Sequence, residues 1–125
     1  AMTMAMRSAA LSPIDIDLVK THGTGTDSNN KAEKSALMRV FDTPFQATSY
    51  KQRIGHTLGA SGLLETCLMI EDLKKGLIKA IPNRTSVDEF FLSRDNTHAK
   101  KEQKILSLAA GMGNIYAAAI FDTAV

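Results

Sequence analysis

Two histidines stand in short glycine-rich segments of this chain, and both are candidates for chemistry. His22 begins the segment His-Gly-Thr-Gly-Thr, and His56 lies between Gly55 and a second group of glycines. Each follows a predicted short strand, and ligands of α/β sheets bind beside the carboxyl ends of strands. Either histidine alone could equally be a turn residue whose ring is satisfied by backbone hydrogen bonds. Because both occur beside glycines that let a ligand approach, we expect them to share a functional pocket.

Glu65 is a further candidate, because it is the only charged residue from Leu58 through Ile70. An ionised carboxylate on an apolar, buried helix is costly unless it is paired or hydrogen-bonded. Lys51 is the nearest plausible cation in the sequence, and Arg53 is the next. The alternative is that Glu65 reaches solvent through a gap.

The hydrophobic pattern predicts alternating helices and strands that would position these side chains. Helices are predicted at residues 2 to 11, 30 to 41 and 59 to 74, with one helical turn at 88 to 92. Strands are predicted at 14 to 22, 46 to 50, 77 to 81, 104 to 110 and 115 to 122. In the second helix, Ala32, Ala36, Leu37 and Val40 share one face. The helix at 59 to 74 is apolar all round and should be buried all round, and the last strand should be buried on both faces. The alternation predicts an α/β layer with a mixed sheet.

Other chemistries fit these residues less well. The glycine-rich loop after the first strand lacks the spacing of the common phosphate-binding motifs. A metal site built from His22, His56 and Asp27 has no closely spaced pair of ligands, so no metal is expected. Cys67, among leucines, is predicted to be a small buried hydrophobe, and His98 to be solvated.

Composition narrows the class of protein further. The chain has 125 residues, a net charge of +2 and 44% hydrophobic residues, which describe one ordinary domain. Its single cysteine cannot form an internal disulfide. The basic cluster Lys100, Lys101 and Lys104 is interrupted, so we expect no nucleic-acid partner. No apolar run approaches the roughly 18 residues of a membrane-spanning helix, so we expect no membrane contact and a cytoplasmic location.

Together, the two histidine motifs resemble those of a known family. The segments at residues 16 to 26, 49 to 51 and 54 to 62 are similar to the C-terminal half of the β-ketoacyl synthases. Lys51 lies five residues before His56 and Glu65 nine after it, as in that family. The resemblance covers essentially the whole chain, from the first helix to the glycine-rich loop before the last strand.

The resemblance implies a fold and a reaction. Members have the thiolase fold, in which each of two α/β/α halves has a mixed sheet of about five strands and a buried central helix. Their reaction is a decarboxylative Claisen condensation of a malonyl unit with an acyl chain held on a cysteine, in fatty acid or polyketide synthesis. The malonyl unit is carried on the phosphopantetheine of acyl carrier protein, and no further cofactor is implied.

The resemblance also implies roles for particular residues. His22 and His56 would be the two histidines of a Cys-His-His site, with Lys51 and Glu65 as the supporting lysine and glutamate. Four residues would contact substrate: Thr24, Thr26, Gly111 and Met112.

The chain departs from the family pattern in three places. The nucleophilic cysteine belongs to the other half, so residues 1 to 125 are expected to be a C-terminal domain that is inactive without an N-terminal half. Residues 27 to 30 replace the usual Pro-Leu-Gly-Asp. Met112 replaces a phenylalanine in the loop that gates the acyl pocket. The full-length protein is expected to be a homodimer or heterodimer.

The sequence is also compatible with two other interpretations. The chain could belong to a non-catalytic partner subunit similar to chain-length factors, which the altered loop at residues 112 to 116 favours. It could also be a stand-alone ligand-binding domain, which predicts a stable monomer with a closed pocket.

Overall fold

The computed structural model describes residues 1–79, 81 and 97–123. Its helices are α1 (Met2–Ser8), α2 (Asp27–Met38), α3 (Lys51–Ile54) and α4 (Ser61–Lys74), with 3-10 turns at Pro13–Asp15 and Leu58–Ala60. Its strands are β1 (Leu18–Lys20), β2 (Gln46–Thr48), β3 (Leu77–Ile78), β4 (Thr97–His98), β5 (Lys104–Gly111) and β6 (Ile115–Asp122). The predicted turn at 88 to 92 lies outside the described residues.

The main sheet is mixed, with the strand order β2-β1-β5-β6. β1 pairs with both β2 and β5 in parallel, and β5 pairs with β6 in an antiparallel hairpin. Among the described residues four strands are joined in this sheet, fewer than the five expected, and β3 pairs with β4 in a separate two-stranded sheet. The segment after β3 still lies beside β2, since Thr48 Oγ1 donates a hydrogen bond to the Lys79 carbonyl.

Successive residues of β1 point to opposite faces of the sheet and enter two different cores. Val19 packs in a core with Met6 of α1 and Leu37 of α2. Leu18 packs in the other core with Met69 of α4. The fold is therefore α/β with helices on both faces of the sheet, as predicted. Lys20, two residues after Leu18, lies on the α4 face.

The first predicted strand is shorter than expected at its beginning. Residues Pro13–Asp15 form a 3-10 turn, in which Ser12 and Asp15 cap each other. Pro13 has no N–H to give to a sheet, and it is favoured at the first position of a helix. Residues 14 to 17 of the alternating segment are therefore not part of a strand, and Ile14 is exposed.

The face predicted for the second helix is only partly buried. Leu37 is buried and Val40 packs against the core, whereas Ala32 and Ala36 are exposed. The two alanines are exposed because they line an open cavity between α1, α2 and the β5–β6 hairpin.

The prediction that α4 is buried all round is wrong for the described residues. Glu65 and Met69 lie on its buried side, but Leu63 is 74% exposed and Leu64 is also exposed. Cys67 is exposed as well, which corrects the prediction of a buried cysteine. A helix packed on one sheet has only one side covered, and the apolar composition of α4 does not reveal which side that is.

The last strand is also less buried than predicted. β6 is at the edge of the main sheet, and Ile115 and Tyr116 at its start are exposed. Ala118, Ile120 and Phe121 are partly buried against the two cores. An edge strand has a neighbour on one side only, so a continuous apolar run does not by itself establish burial. Among the described helices, none is long and apolar enough to cross a membrane.

Candidate active site

The loop after β1 positions His22 through its backbone. The backbone N–H groups of His22 and Gly23 both donate to the carboxylate of Glu33 on α2, at 2.6 and 3.0 Å. Gly23 has a φ of 57°, and a Cβ at this position would overlap the Ser49 hydroxyl. Only glycine therefore allows the chain to turn this closely past the end of β2.

His56 is positioned by the turn that leads into α4. Gly55 ends α3 with a φ of 77°, a left-handed conformation that favours glycine. The backbone N–H of Leu58 donates to Nδ1 of His56 at 3.1 Å, and the hydroxyl of Ser61 lies 3.0 Å from the same nitrogen. His56 itself is exposed, whereas His22 is half-buried.

The two imidazole rings lie next to each other. Their centroids are 5.9 Å apart, and the rings are nearly perpendicular at 82°. Two segments that are 34 positions apart in the sequence therefore meet at one place.

The Nδ1 atom of each ring accepts a hydrogen bond from a backbone N–H. The backbone N–H of Ala110 donates to Nδ1 of His22 at 3.1 Å, as that of Leu58 does to His56. A backbone N–H can only donate, so each Nδ1 must be an unprotonated acceptor. In a neutral imidazole the proton is then on Nε2, which leaves one N–H donor on each ring.

His22 is neutral at physiological pH. Burial, followed by the nearby Lys51 ammonium, lowers the pKa of His22 from 6.5 to about 4, and Glu65 opposes this shift. Desolvation disfavours the charged imidazolium, and a cation close by disfavours it further.

Glu65 is fully buried and paired, as predicted. Its Oε1 lies 2.6 Å from Lys51 Nζ, which also donates to the His22 carbonyl at 2.7 Å. Sequence reasoning missed a second cation, Lys20, whose Nζ lies 2.9 Å from Glu65 Oε2. The position of Lys20, two residues after a core residue of β1, was the signal that could have placed it on the α4 face.

The four predicted substrate contacts are spread over two loops. Thr26 precedes α2, and its hydroxyl lies 3.4 Å from that of Thr24, which accepts a hydrogen bond from Asn29. Gly111 ends β5, and Met112 is 94% exposed in the hairpin turn.

A cavity of about 320 Å³ extends from His22 between the helices and the hairpin. Glu33, Ala110 and Tyr116 contribute to its lining, and Tyr116 is one of the residues that sequence reasoning missed. The described residues include no group of three side chains that could hold a metal ion.

Comparisons with known proteins show which family the chain resembles. The profile of the family described as "Beta-ketoacyl synthase, C-terminal domain" matches residues 1–85. A reducing polyketide synthase of Cochliobolus heterostrophus is 43% identical over 82 residues, which are 62% of this chain and 3% of that protein. A 3-oxoacyl-[acyl-carrier-protein] synthase homolog of Saccharomyces cerevisiae is 36% identical over 107 residues, or 81% of this chain and 23% of that protein.

A solved structure shows the same fold over nearly the whole chain. The crystal structure of a β-ketoacyl synthase from Burkholderia phymatum matches with a TM-score of 0.84 and 33% identity, covering 96% of this chain and 30% of that one. The chain therefore spans less than a third of the length of each of these relatives. With a family profile over residues 1–85 and the same fold as a solved member, this chain belongs to the family of β-ketoacyl synthase C-terminal domains.

Proposed function

We propose that this chain is the C-terminal half of a cytoplasmic β-ketoacyl-[acyl carrier protein] synthase, an acyltransferase of fatty acid or polyketide synthesis. In this proposal His22 and His56 act together on a malonyl unit carried by acyl carrier protein. The observation that carries the proposal is the hydrogen bond from a backbone N–H to Nδ1 of each ring. These two bonds leave the Nε2–H groups of two neighbouring histidines as donors.

The reaction needs donors of this kind. When the carbon–carbon bond to the carboxylate breaks, carbon dioxide leaves and the electron pair becomes an enolate with a negative oxygen. Positioned N–H groups stabilise such an oxyanion, and removal of one donor typically lowers the rate about 100- to 1,000-fold. The enolate carbon then attacks the acyl thioester and the cysteine thiolate departs, which completes the condensation.

The supporting residues fit the same proposal. Lys51 joins the buried carboxylate of Glu65 to the backbone carbonyl of His22, so that the helix α4 holds the loop in place. The depressed pKa of His22 keeps the ring neutral at working pH, with its Nδ1 free to accept from Ala110. Thr24, Thr26, Gly111 and Met112 remain proposed substrate contacts.

The nucleophilic cysteine is proposed to come from an N-terminal half, because the only cysteine here, Cys67, is on α4. Residues 1 to 125 would then form one domain that condenses nothing alone and acts within a homodimer or heterodimer. Substrates would arrive on phosphopantetheine, without another cofactor. A partner subunit of the chain-length-factor type is the alternative, and the residue at the position of the nucleophile distinguishes the two. A cysteine there supports the synthase, and glutamine or another residue supports the partner.

Carbon dioxide release from malonyl-acyl carrier protein tests the proposal in a complete synthase that carries this chain. We expect His56→Ala to lower the rate about 100- to 1,000-fold. The control is His98→Ala, which changes an exposed histidine of β4. A rate that His56→Ala leaves unchanged would overturn the assigned role.

A further inference from the structure

Lys20 is a fully buried lysine that the proposed mechanism does not use. Its side chain is 0% exposed on β1, and its ammonium lies 2.9 Å from Glu65 Oε2. Burial lowers the pKa of Lys20 below its ordinary value of 10.5, and the hydrogen bond to Glu65 opposes this shift. A buried lysine without a function is unexpected, because removing an ammonium from water is costly.

Neutralisation of Glu65 alone does not account for Lys20. Lys51 already lies 2.6 Å from the other carboxylate oxygen, and this pair is neutral without a second lysine. A buried ion pair with additional charge is often no more stable than an apolar replacement of similar volume. The position of Lys20 in the strand that leads to His22 indicates a role at the histidine site.

The contacts form one continuous path from Lys20 to His22. The ammonium of Lys20 donates to Oε2 of Glu65, and that of Lys51 donates to Oε1. Lys51 also donates to the His22 carbonyl at 2.7 Å. We propose that Lys20 is a positioning residue: it fixes the Glu65 carboxylate so that Lys51 remains between Glu65 and His22. This inference rests on the proposed function only for its effect on catalysis.

The charge of Lys20 has a second consequence. Four charged groups surround this end of β1: the ammonium groups of Lys20 and Lys51, and the carboxylates of Glu65 and Glu33. Their formal charges balance. Without Lys20 the group has one net negative charge, which favours the imidazolium form of His22.

Among the described residues, four side chains exert an electrostatic effect on the His22 ring: Lys51, Glu65, His56 and Lys20. Only Glu65 favours the protonated form of the ring. Loss of Lys20 therefore raises the pKa of His22. Protonation would place a hydrogen on Nδ1 and break the bond from the Ala110 N–H.

The experiment compares Lys20→Met and Lys20→Gln in a complete synthase in which only this chain carries ¹⁵N-histidine. Lys20→Gln removes the charge but keeps a hydrogen-bond donor to Glu65. This variant replaces Lys20→Met in the measurements if Lys20→Met does not fold. Lys74→Met is the matched control, because Lys74 is 68% exposed on α4 and pairs only with the exposed Glu71 among the described residues. The measurements are the titration of the His22 ring by NMR from pH 8 to 3, a range that includes its pKa of about 4, and the pH profile of carbon dioxide release.

We expect the Lys20 variants to move the His22 titration and the acid limb of the profile to higher pH by about one unit. Lys74→Met should move neither. A His22 titration that is the same in all proteins would overturn the inference, whatever happens to thermal stability. If the unmodified synthase releases no carbon dioxide, the proposed function fails, and the NMR titration still decides the role of Lys20.

Discussion

The backbone N–H of Ala110 donates a hydrogen bond to Nδ1 of His22 at 3.1 Å, across 88 positions of sequence. This bond joins the end of β5 to the loop after β1, two strands that pair in parallel. It requires an unprotonated Nδ1, so it determines that Nε2 carries the proton when the His22 ring is neutral. The orientation of the His22 ring therefore depends on the pairing of β1 with β5 as well as on the glycine-rich loop that contains the histidine.

The first prediction concerns the stability of the protein at acid pH. His22 has a pKa of about 4 in the folded protein and an ordinary value of 6.5, so the unfolded chain binds more protons between these values. The free energy of unfolding should therefore fall as the pH drops from about 6.5 to about 4. Urea denaturation at a series of pH values measures this dependence. In His22→Gln the fall should be smaller, and an identical fall would contradict the assignment to His22.

The second prediction concerns Gly23. Substitution by alanine places a Cβ against the Ser49 hydroxyl and forces a side chain into a left-handed conformation, so Gly23→Ala should reduce stability by about 2 kcal/mol or more. Thermal and urea denaturation measure this loss. Gly59→Ala is the control, because a Cβ at residue 59 meets no atom within 4 Å. Equal stability of the two variants would show that the loop can move away from Ser49.

The third prediction concerns Glu33, which accepts N–H bonds from His22 and Gly23. Glu33→Gln replaces one acceptor oxygen by an NH₂ group, and two donors then face each other because the backbone N–H also donates. The free energy of unfolding should therefore fall by about 1 to 3 kcal/mol. The rate of carbon dioxide release should fall as well, since the loop loses its anchor to α2. Glu71→Gln, at an exposed position, provides the comparison. Full activity of Glu33→Gln would show that the loop keeps its position without this contact.

The fourth prediction concerns the buried charges. Glu65→Leu leaves the ammonium groups of Lys20 and Lys51 without their carboxylate, and breaking a buried pair typically reduces stability by about 3 to 5 kcal/mol. Adding Lys20→Met to this variant removes one of the two stranded charges and should recover part of the loss. Glu71→Leu, which breaks an exposed pair, should have a much smaller effect. Strictly additive losses in the double variant would contradict a coupled arrangement.

Part of this site could be predicted from the sequence, because residues close together in the chain indicate it. The glycines beside His22 and His56 marked two turns, and the isolation of Glu65 in an apolar segment required a cation that proved to be Lys51. Lys20 was missed because its partner is 45 positions away and only the packing of α4 on β1 brings them together.

Burial was the less predictable part of the fold. Leu63 on α4 and Ile115 on β6 have the composition of core residues, yet both are exposed. Apolar composition shows that a surface favours burial, but which surface is covered depends on where the element lies relative to the sheet.

The protonation of the two histidines at neutral pH tests the central claim most directly. Long-range ¹H–¹⁵N NMR spectra distinguish the two neutral tautomers and the imidazolium, in a complete synthase in which only this chain carries ¹⁵N-histidine. His98→Asn removes the third signal and completes the assignment. We expect neutral rings with the proton on Nε2 for both His22 and His56. A proton on Nδ1 of either ring, or an imidazolium at His22, would contradict it.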